Sequence, residues 1–205
     1  PAAEAYRTKV ESGATGLTVP GGHSLDSFCY CLGEFREVAA VVTTQHEKVE
    51  IVETGDVVDA TTPDQVLVSG VLANGAVGSV HVKADMANPT GILFEINGTD
   101  GDIVIASKKP VGIAPVGIQR AELTLHVARG RKKEFVPAPV SQAFTLVPAD
   151  VPKGPPFFTA QLYARLSDSL SNGVPLSPDF GAAVRRHRLL DAIQAASDTG
   201  MRQRL

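Results

Sequence analysis

The sequence predicts an α+β chain: a two-layer sandwich in which a large, mostly antiparallel sheet carries helices on one face. Three observations carry that expectation. Hairpin signals at Leu72-Ala73-Asn74-Gly75-Ala76 and Asn97-Gly98-Thr99-Asp100-Gly101 each stand between runs rich in Val and Ile. Periodic apolar stretches near both ends read as helices. Aromatics make up only 5% with no Trp, while Val, Ala, Leu and Gly dominate, which suits a sheet covered by small-residue helices. At 205 residues the chain is long enough for one domain with a real core.

Taken in order, residues 2–11 read as the end of a helix, broken by Gly13 and Gly16. A helix starts at about His23: Leu25, Phe28, Cys29 and Leu32 recur at i, i+3, i+4 and i+7, and Gly33 stands where a C′ glycine belongs. Residues 35–44 form a strand, and residues 49–52 and 56–59 pair around Thr54-Gly55. Residues 65–72 and 76–83 make the clearest hairpin, because Asn-Gly is the favoured pair for a two-residue turn. Counting back from that turn sets Val68 opposite His81 and Val66 opposite Lys83. Val66, Val68, Gly70, Leu72, Val77, Ser79, His81 and Lys83 then share one face, and Leu67, Ser69, Val71, Gly78, Val80 and Val82 the other. The second face is nearly all apolar and belongs under helices. The first carries the polar groups and is the pocket or interface face, which makes His81 and Lys83 candidate substrate-binding residues.

Residues 92–96 and 102–106 form another hairpin, and strands at 122–127 and 134–136 follow. Residues 137–156 are Pro-rich and read as an extended arm over the sheet. Two helices close the chain. The first follows Pro155-Pro156, with Phe158, Leu162, Leu166 and Leu170 at i, i+4 spacing and Asn172-Gly173 ending it. The second takes Ser177 as N-cap and Pro178 at its first position and runs to about Ser197; its apolar residues spread around the axis.

A net charge of −3 gives no electrostatic case for nucleic acid or membrane. The basic runs Arg129-Gly130-Arg131-Lys132-Lys133 and Arg185-Arg186-His187-Arg188 read as solvated faces. Cys29 and Cys31, two apart on a helix, point to different sides, and no other Cys is available for a disulfide framework or a zinc set. No signal peptide and no apolar run long enough to span a bilayer is recognised, so the expected setting is cytoplasmic.

The chemistry concentrates at Pro20-Gly21-Gly22-His23-Ser24-Leu25-Asp26. A helix start there puts His23 in the first turn, near unpaired N–H groups and the positive dipole end. Such a position favours a neutral imidazole, which accepts a proton from a hydroxyl; the plainer reading is a His that caps a helix. No Gly-x-Gly-x-x-Gly follows a strand, and neither a P-loop nor a Gly-x-Ser-x-Gly elbow occurs. The five His (23, 46, 81, 126, 187) lack metal-ligand spacing, so no metal is expected. His46 and His126 read as surface or strand residues, and His187 as a helix-surface partner of Asp191.

Gly-Gly-His-Ser-Leu-Asp leading into a helix that ends Leu-Gly-Glu-Phe resembles the C-terminal domain of the glucose-fructose oxidoreductase and inositol dehydrogenase (Gfo/Idh/MocA) family. The branch most similar is the one containing the galactose-pathway repressor. Further matching blocks are 72–76, 94–101, Pro178-Asp179-Phe180 and His187-Arg188-Leu189-Leu190-Asp191-Ala192-Ile193, in order over almost the whole chain. The resemblance implies that His23 is the proton-accepting His of a dehydrogenase, assisted by a Lys from a dinucleotide-binding domain. NAD or NADP would be bound by that domain, which is missing here, so that residues 1–205 are a single C-terminal substrate-binding and dimerisation domain. It also implies a homodimer or tetramer formed through the sheet face, and a sugar, polyol or similar hydroxylated small molecule as substrate. Many relatives carry Asp four residues before the His; here that position is Val19. Two alternatives stay open: a non-catalytic regulator that senses a ligand or binds a protein, and a stand-alone domain put to another use.

Overall fold

The computed structural model describes residues 2–84, 90–108, 117–118, 121–130 and 134–205. In chain order the strands are β1 (Phe35–Thr43), β2 (Lys48–Ile51), β3 (Asp56–Asp59), β4 (Gln65–Leu72), β5 (Val77–Lys83), β6 (Leu93–Gly98), β7 (Gly101–Ser107), β8 (Leu123–Arg129), β9 (Val136–Pro137) and β10 (Gln203–Arg204). The α-helices are α1 (Gly22–Leu32), α2 (Pro155–Asn172) and α3 (Phe180–Thr199). Every pairing between described strands is antiparallel, so the chain is α+β, as the hairpin signals predict. Among the described residues the strands pair as two four-stranded sheets, ordered β10-β1-β4-β5 and β6-β7-β8-β9, plus the β2-β3 ribbon.

The chain divides into two compact units: Pro1–Met86 with Phe180–Leu205, and Ala87–Asp179. In the first, β1 turns Val38 and β4 turns Val66 and Val68 toward the helices, and all three are essentially sealed from solvent. α1 contributes Leu25, Phe28 and Cys29 to this core. α3 contributes Leu189, Leu190, Ile193 and Ala196. Counted from Arg186, those buried positions fall at i, i+3, i+4, i+7 and i+10, one stripe, while other apolar residues such as Phe180 and Val184 lie off it and are exposed. α3 starts at Phe180, later than a Ser177 cap would set it. Ser197 Oγ ties its far end to β1, accepting from Val42 N at 2.8 Å and donating to Val42 O at 3.3 Å.

The β4–β5 register corrects the sequence reading by one residue. Leu67 faces His81, Gln65 faces Lys83 and Val68 faces Val80. The cause is the turn. Gly75 N donates to Leu72 O at 2.9 Å, Leu72 N to Ala76 O at 2.8 Å, and Gly75 takes φ 90°. That is a three-residue loop, a type I turn closed by a left-handed glycine, which absorbs Ala73 as well as Asn74-Gly75. The slip exchanges the partners but leaves the alternation within each strand intact. Val66, Val68, Gly70, Leu72, Gly78, Val80 and Val82 therefore share the helix-covered face. Leu67, Ser69, Val71, Val77, Ser79, His81 and Lys83 share the outer one.

In the second unit, β6 and β7 pair around the Gly98–Gly101 turn, and β8 and β9 continue the sheet. α2 begins with Pro155 and Pro156 in its first turn and ends at Gly173, which takes φ 69°. Gln161 on α2 holds the preceding arm, accepting from Leu146 N and donating to Phe144 O, each at 2.7 Å. The apolar stripe of α2 stays open: Phe158, Leu162 and Leu170 are all exposed. Residues 131–133 of the first basic run lie outside the described residues.

Candidate functional site

α1 does not begin freely at His23. A π turn, Leu17–Gly21, runs directly into it, and Pro20 explains that turn. In an α-helix the Gly16 carbonyl would accept from residue 20. Proline offers no N–H, and its ring crowds that same carbonyl. Gly21 N supplies the bond instead, at 2.9 Å, which is the i→i+5 pattern. Gly22 N donates to Val19 O. The N–H groups that a helix start would leave open just before His23 are thus already engaged. The first-turn dipole argument for His23 does not hold, because the helical path starts at Leu17.

His23 itself is exposed, on the side of α1 away from Leu25, Phe28 and Cys29. Ser27 and Tyr30 stand one and two turns further along, with Ser27 Oγ donating to His23 O at 3.0 Å and Tyr30 open to solvent. Among the described residues no group bonds to the His23 ring.

Beside this face lies a polar cluster that sequence reasoning missed. Arg186 of α3 is only 9% exposed. Its Nε donates to Asp26 Oδ1 at 3.2 Å, and its two terminal nitrogens donate to the two oxygens of Glu34 at 3.2 and 3.3 Å. The guanidinium is held charged: burial works against the charge, and Cys29, Glu34 and Asp26 outweigh it. Burial likewise pushes the neighbouring Cys29 thiol up to about 11, against the pull of the Arg186 charge. Arg186 is therefore no part of a solvated face. The signal was present: Arg186 begins the i, i+3, i+4, i+7 series that Leu189, Leu190 and Ile193 continue. His187 and Asp191 are exposed, and no bond joins them among the described residues.

His81 and Lys83 lie elsewhere. Phe28 of α1 presses on Gly78, where an added Cβ would come 2.4 Å from the ring, so α1 covers the Gly78–Val80–Val82 side of β5. His81 and Lys83 point the other way and are exposed, with His81 Nε2 3.3 Å from Gln65 Oε1. Within one chain they are not brought together with His23. Their companions on the outer face include exposed Val41, Leu67 and Val77.

His46 is also more than a surface residue. Its Nδ1 lies 2.7 Å from Asp64 Oδ2, while Gln45 N and His46 N donate to the same carboxylate at 3.0 and 2.7 Å. Asp64 is 2% exposed. Burial alone would raise its carboxyl; the backbone donors and the His46 ring outweigh that and hold it below the usual carboxylate range. The geometry is that of a loop lock between β1 and β2.

The described residues do not make a dinucleotide cradle. Described strands pair only antiparallel, Gly21-Gly22 lies inside a helical path, and Gly98–Gly101 joins two antiparallel strands. No helix among the described residues is long and apolar enough to cross a membrane.

A sequence profile of the family described as Gal80p, C-terminal domain, matches residues 1–107. Among curated proteins no match to this sequence was found. Solved structures do match. The super-repressor mutant of Gal80p from Saccharomyces cerevisiae aligns with a TM-score of 0.77 at 19% identity, over 96% of this chain and 51% of that one. A levoglucosan dehydrogenase in complex with NADH and levoglucosan aligns with 0.75 at 22%, over 98% and 53%. An NAD binding oxidoreductase from Klebsiella pneumoniae aligns with 0.70 at 20%, over 98% and 53%. The chain thus spans about half the length of these proteins, and the likeness is one of fold. The profile match, over just more than half of the residues, establishes that the chain belongs to the family of the Gal80p C-terminal domain.

Proposed function

We propose that this chain is the substrate-binding and dimerisation part of an NAD(P)-dependent oxidoreductase acting on a sugar, polyol or similar hydroxylated small molecule, in a cytoplasmic setting. The observation that carries the reading is His23, exposed and without a partner among the described residues, on the helix of a fold shared with a dehydrogenase solved with NADH and levoglucosan. In this reading His23 takes the proton of a substrate hydroxyl, and a separate domain holds NAD or NADP. The outer sheet face, with Val41, Leu67 and Val77 exposed beside His81 and Lys83, meets a second copy in a homodimer or tetramer. His81 and Lys83 then reach substrate only through that assembly. A second reading is a ligand-sensing or protein-binding regulator; the Gal80p profile match and Val19 in place of a carboxylate favour it.

The test uses the complete two-domain protein with a panel of sugars and polyols. His23→Asn lowers kcat by about 10²- to 10⁴-fold and leaves dinucleotide affinity unchanged. Turnover within about threefold of wild type assigns His23 to structure instead, and no turnover with any hydroxylated substrate favours the regulator. Light scattering on the 205-residue chain checks the assembly: a monomer at high micromolar concentration removes it.

A further inference from the structure

We propose that Arg186 is the positioning residue of the His23 site: its guanidinium holds the Asp26 carboxylate away from the imidazole, so that His23 meets its substrate with no carboxylate partner. The inference rests on the reading of His23 as the acid/base residue. Asp26 follows His23 by three residues on α1, and side chains so spaced are neighbours on a helix surface. A disengaged Asp26 would be within reach of the ring.

Arg186 prevents that. Its Nε takes Asp26 Oδ1 at 3.2 Å while its other two nitrogens take both oxygens of Glu34. A planar fork engaged on two sides fixes direction as well as charge, and a Lys ammonium, being a point donor on a flexible stem, does not reproduce it. The side chain is 10% exposed, whereas those of Asp26 and Glu34 are 55% and 42% exposed, so the cation is the fixed member and the carboxylates come to it. Among the described residues, the other ionisable groups facing the cluster are the Cys29 thiol from α1 and Arg185 from α3, whose Nε is 3.8 Å from Glu34. Without Arg186, Asp26 and Glu34 lose their shared counter-charge. Asp26 then has the His23 ring, one turn away on the same helix, as a hydrogen-bond partner.

The test follows the imidazole nitrogens of the 205-residue chain by 15N correlation spectroscopy, with the His23 signals identified by their loss in His23→Asn. Asp26→Asn alone leaves the His23 signals in place. Arg186→Met shifts them, and adding Asp26→Asn to Arg186→Met returns them toward wild type. If the Arg186→Met shift is the same with and without the Asp26 carboxylate, Arg186 is merely structural and the proposal fails. Should Arg186→Met not fold, Asp26→Asn and Arg186→Lys decide. A His23 shift on Asp26→Asn in the Arg186 background overturns the proposal, and an Asp26-dependent shift in Arg186→Lys supports it. Failure of the catalytic reading is seen separately, as unaltered turnover in His23→Asn, and leaves these spectra unaffected.

Discussion

Replacing Asp64 by Asn tests whether one buried carboxylate locks the loop between β1 and β2. The carboxylate accepts from Gln45 N, His46 N and the His46 ring, with the closest contacts at 2.7 Å, and it is 2% exposed. Asn keeps the shape but offers one acceptor oxygen, and its NH₂ must face a donor. Hydrogen bonds to charged groups contribute about 1.5–3 kcal/mol each, so losing one and weakening another costs about 3 kcal/mol. For a chain of this size, each kcal/mol moves Tm by about 2–4 °C, which gives a fall of roughly 6–12 °C at pH 7. The pH dependence has a definite sign. The folded carboxyl lies below the ordinary carboxylate range, so its stabilisation is fully present above the unfolded value of about 4. It is lost as pH falls through the lower folded value. Thermal melts of both proteins from pH 7 to pH 2.5 should therefore hold a constant gap down to about pH 4 and close it below. A gap under about 2 °C at pH 7, or one that widens in acid, would refute the reasoning.

Further outcomes follow from close contacts. Gly78→Ala puts a Cβ 2.4 Å from Phe28 Cζ, and that ring is already stacked on Phe35 at 5.2 Å between centroids. The expected cost is about 1–3 kcal/mol, read as a lower urea midpoint; an unchanged midpoint means the ring pair yields freely. Pro20→Ala restores the N–H that the Gly16 carbonyl lacks, so the π turn should relax toward an α turn. A crystal structure of the variant that keeps the Gly21 N to Gly16 O bond would remove the proline explanation. Leu189→Ala, at a site 1% exposed on the buried face of α3, should cost about 2–5 kcal/mol by the same urea assay. A smaller loss would mean that α3 collapses onto the gap.

What could be read from the sequence was what is encoded locally. The stripe Leu25-Phe28-Cys29 and the Gly33 stop delimit α1 within one residue of its observed bounds, because periodicity and a left-handed glycine are short-range signals. The hairpins were legible for the same reason, but not the β4–β5 register. Asn74-Gly75 serves both a two-residue turn and the end of a three-residue one, and nothing within the loop distinguishes them. Pro20 announced a disturbed helix start, yet the dipole argument for His23 treated the residues before it as non-helical. Arg186 was hidden by distance: Asp26 and Glu34 lie 160 and 152 residues away, and a basic run looks solvated until its carboxylates are folded against it. The His46–Asp64 lock spans 18 residues and escaped for want of any periodic pattern.

The first unit is assembled from both ends of the sequence, Pro1–Met86 and Phe180–Leu205, and this has a consequence for synthesis. On the ribosome β1 emerges while the helix that roofs it and the β10 strand that pairs with its edge are still unmade. Closing so long a loop adds little entropy over a shorter one, but the wait leaves Val38 and its neighbours bare and an edge unpaired. The last step in folding that unit therefore waits until residues 180–205 have left the tunnel, whereas the second unit, continuous in sequence, is free to form before them. A nascent chain stalled before Phe180 should bind holdase chaperones, and one in which residues 180–205 have cleared the tunnel should let them go.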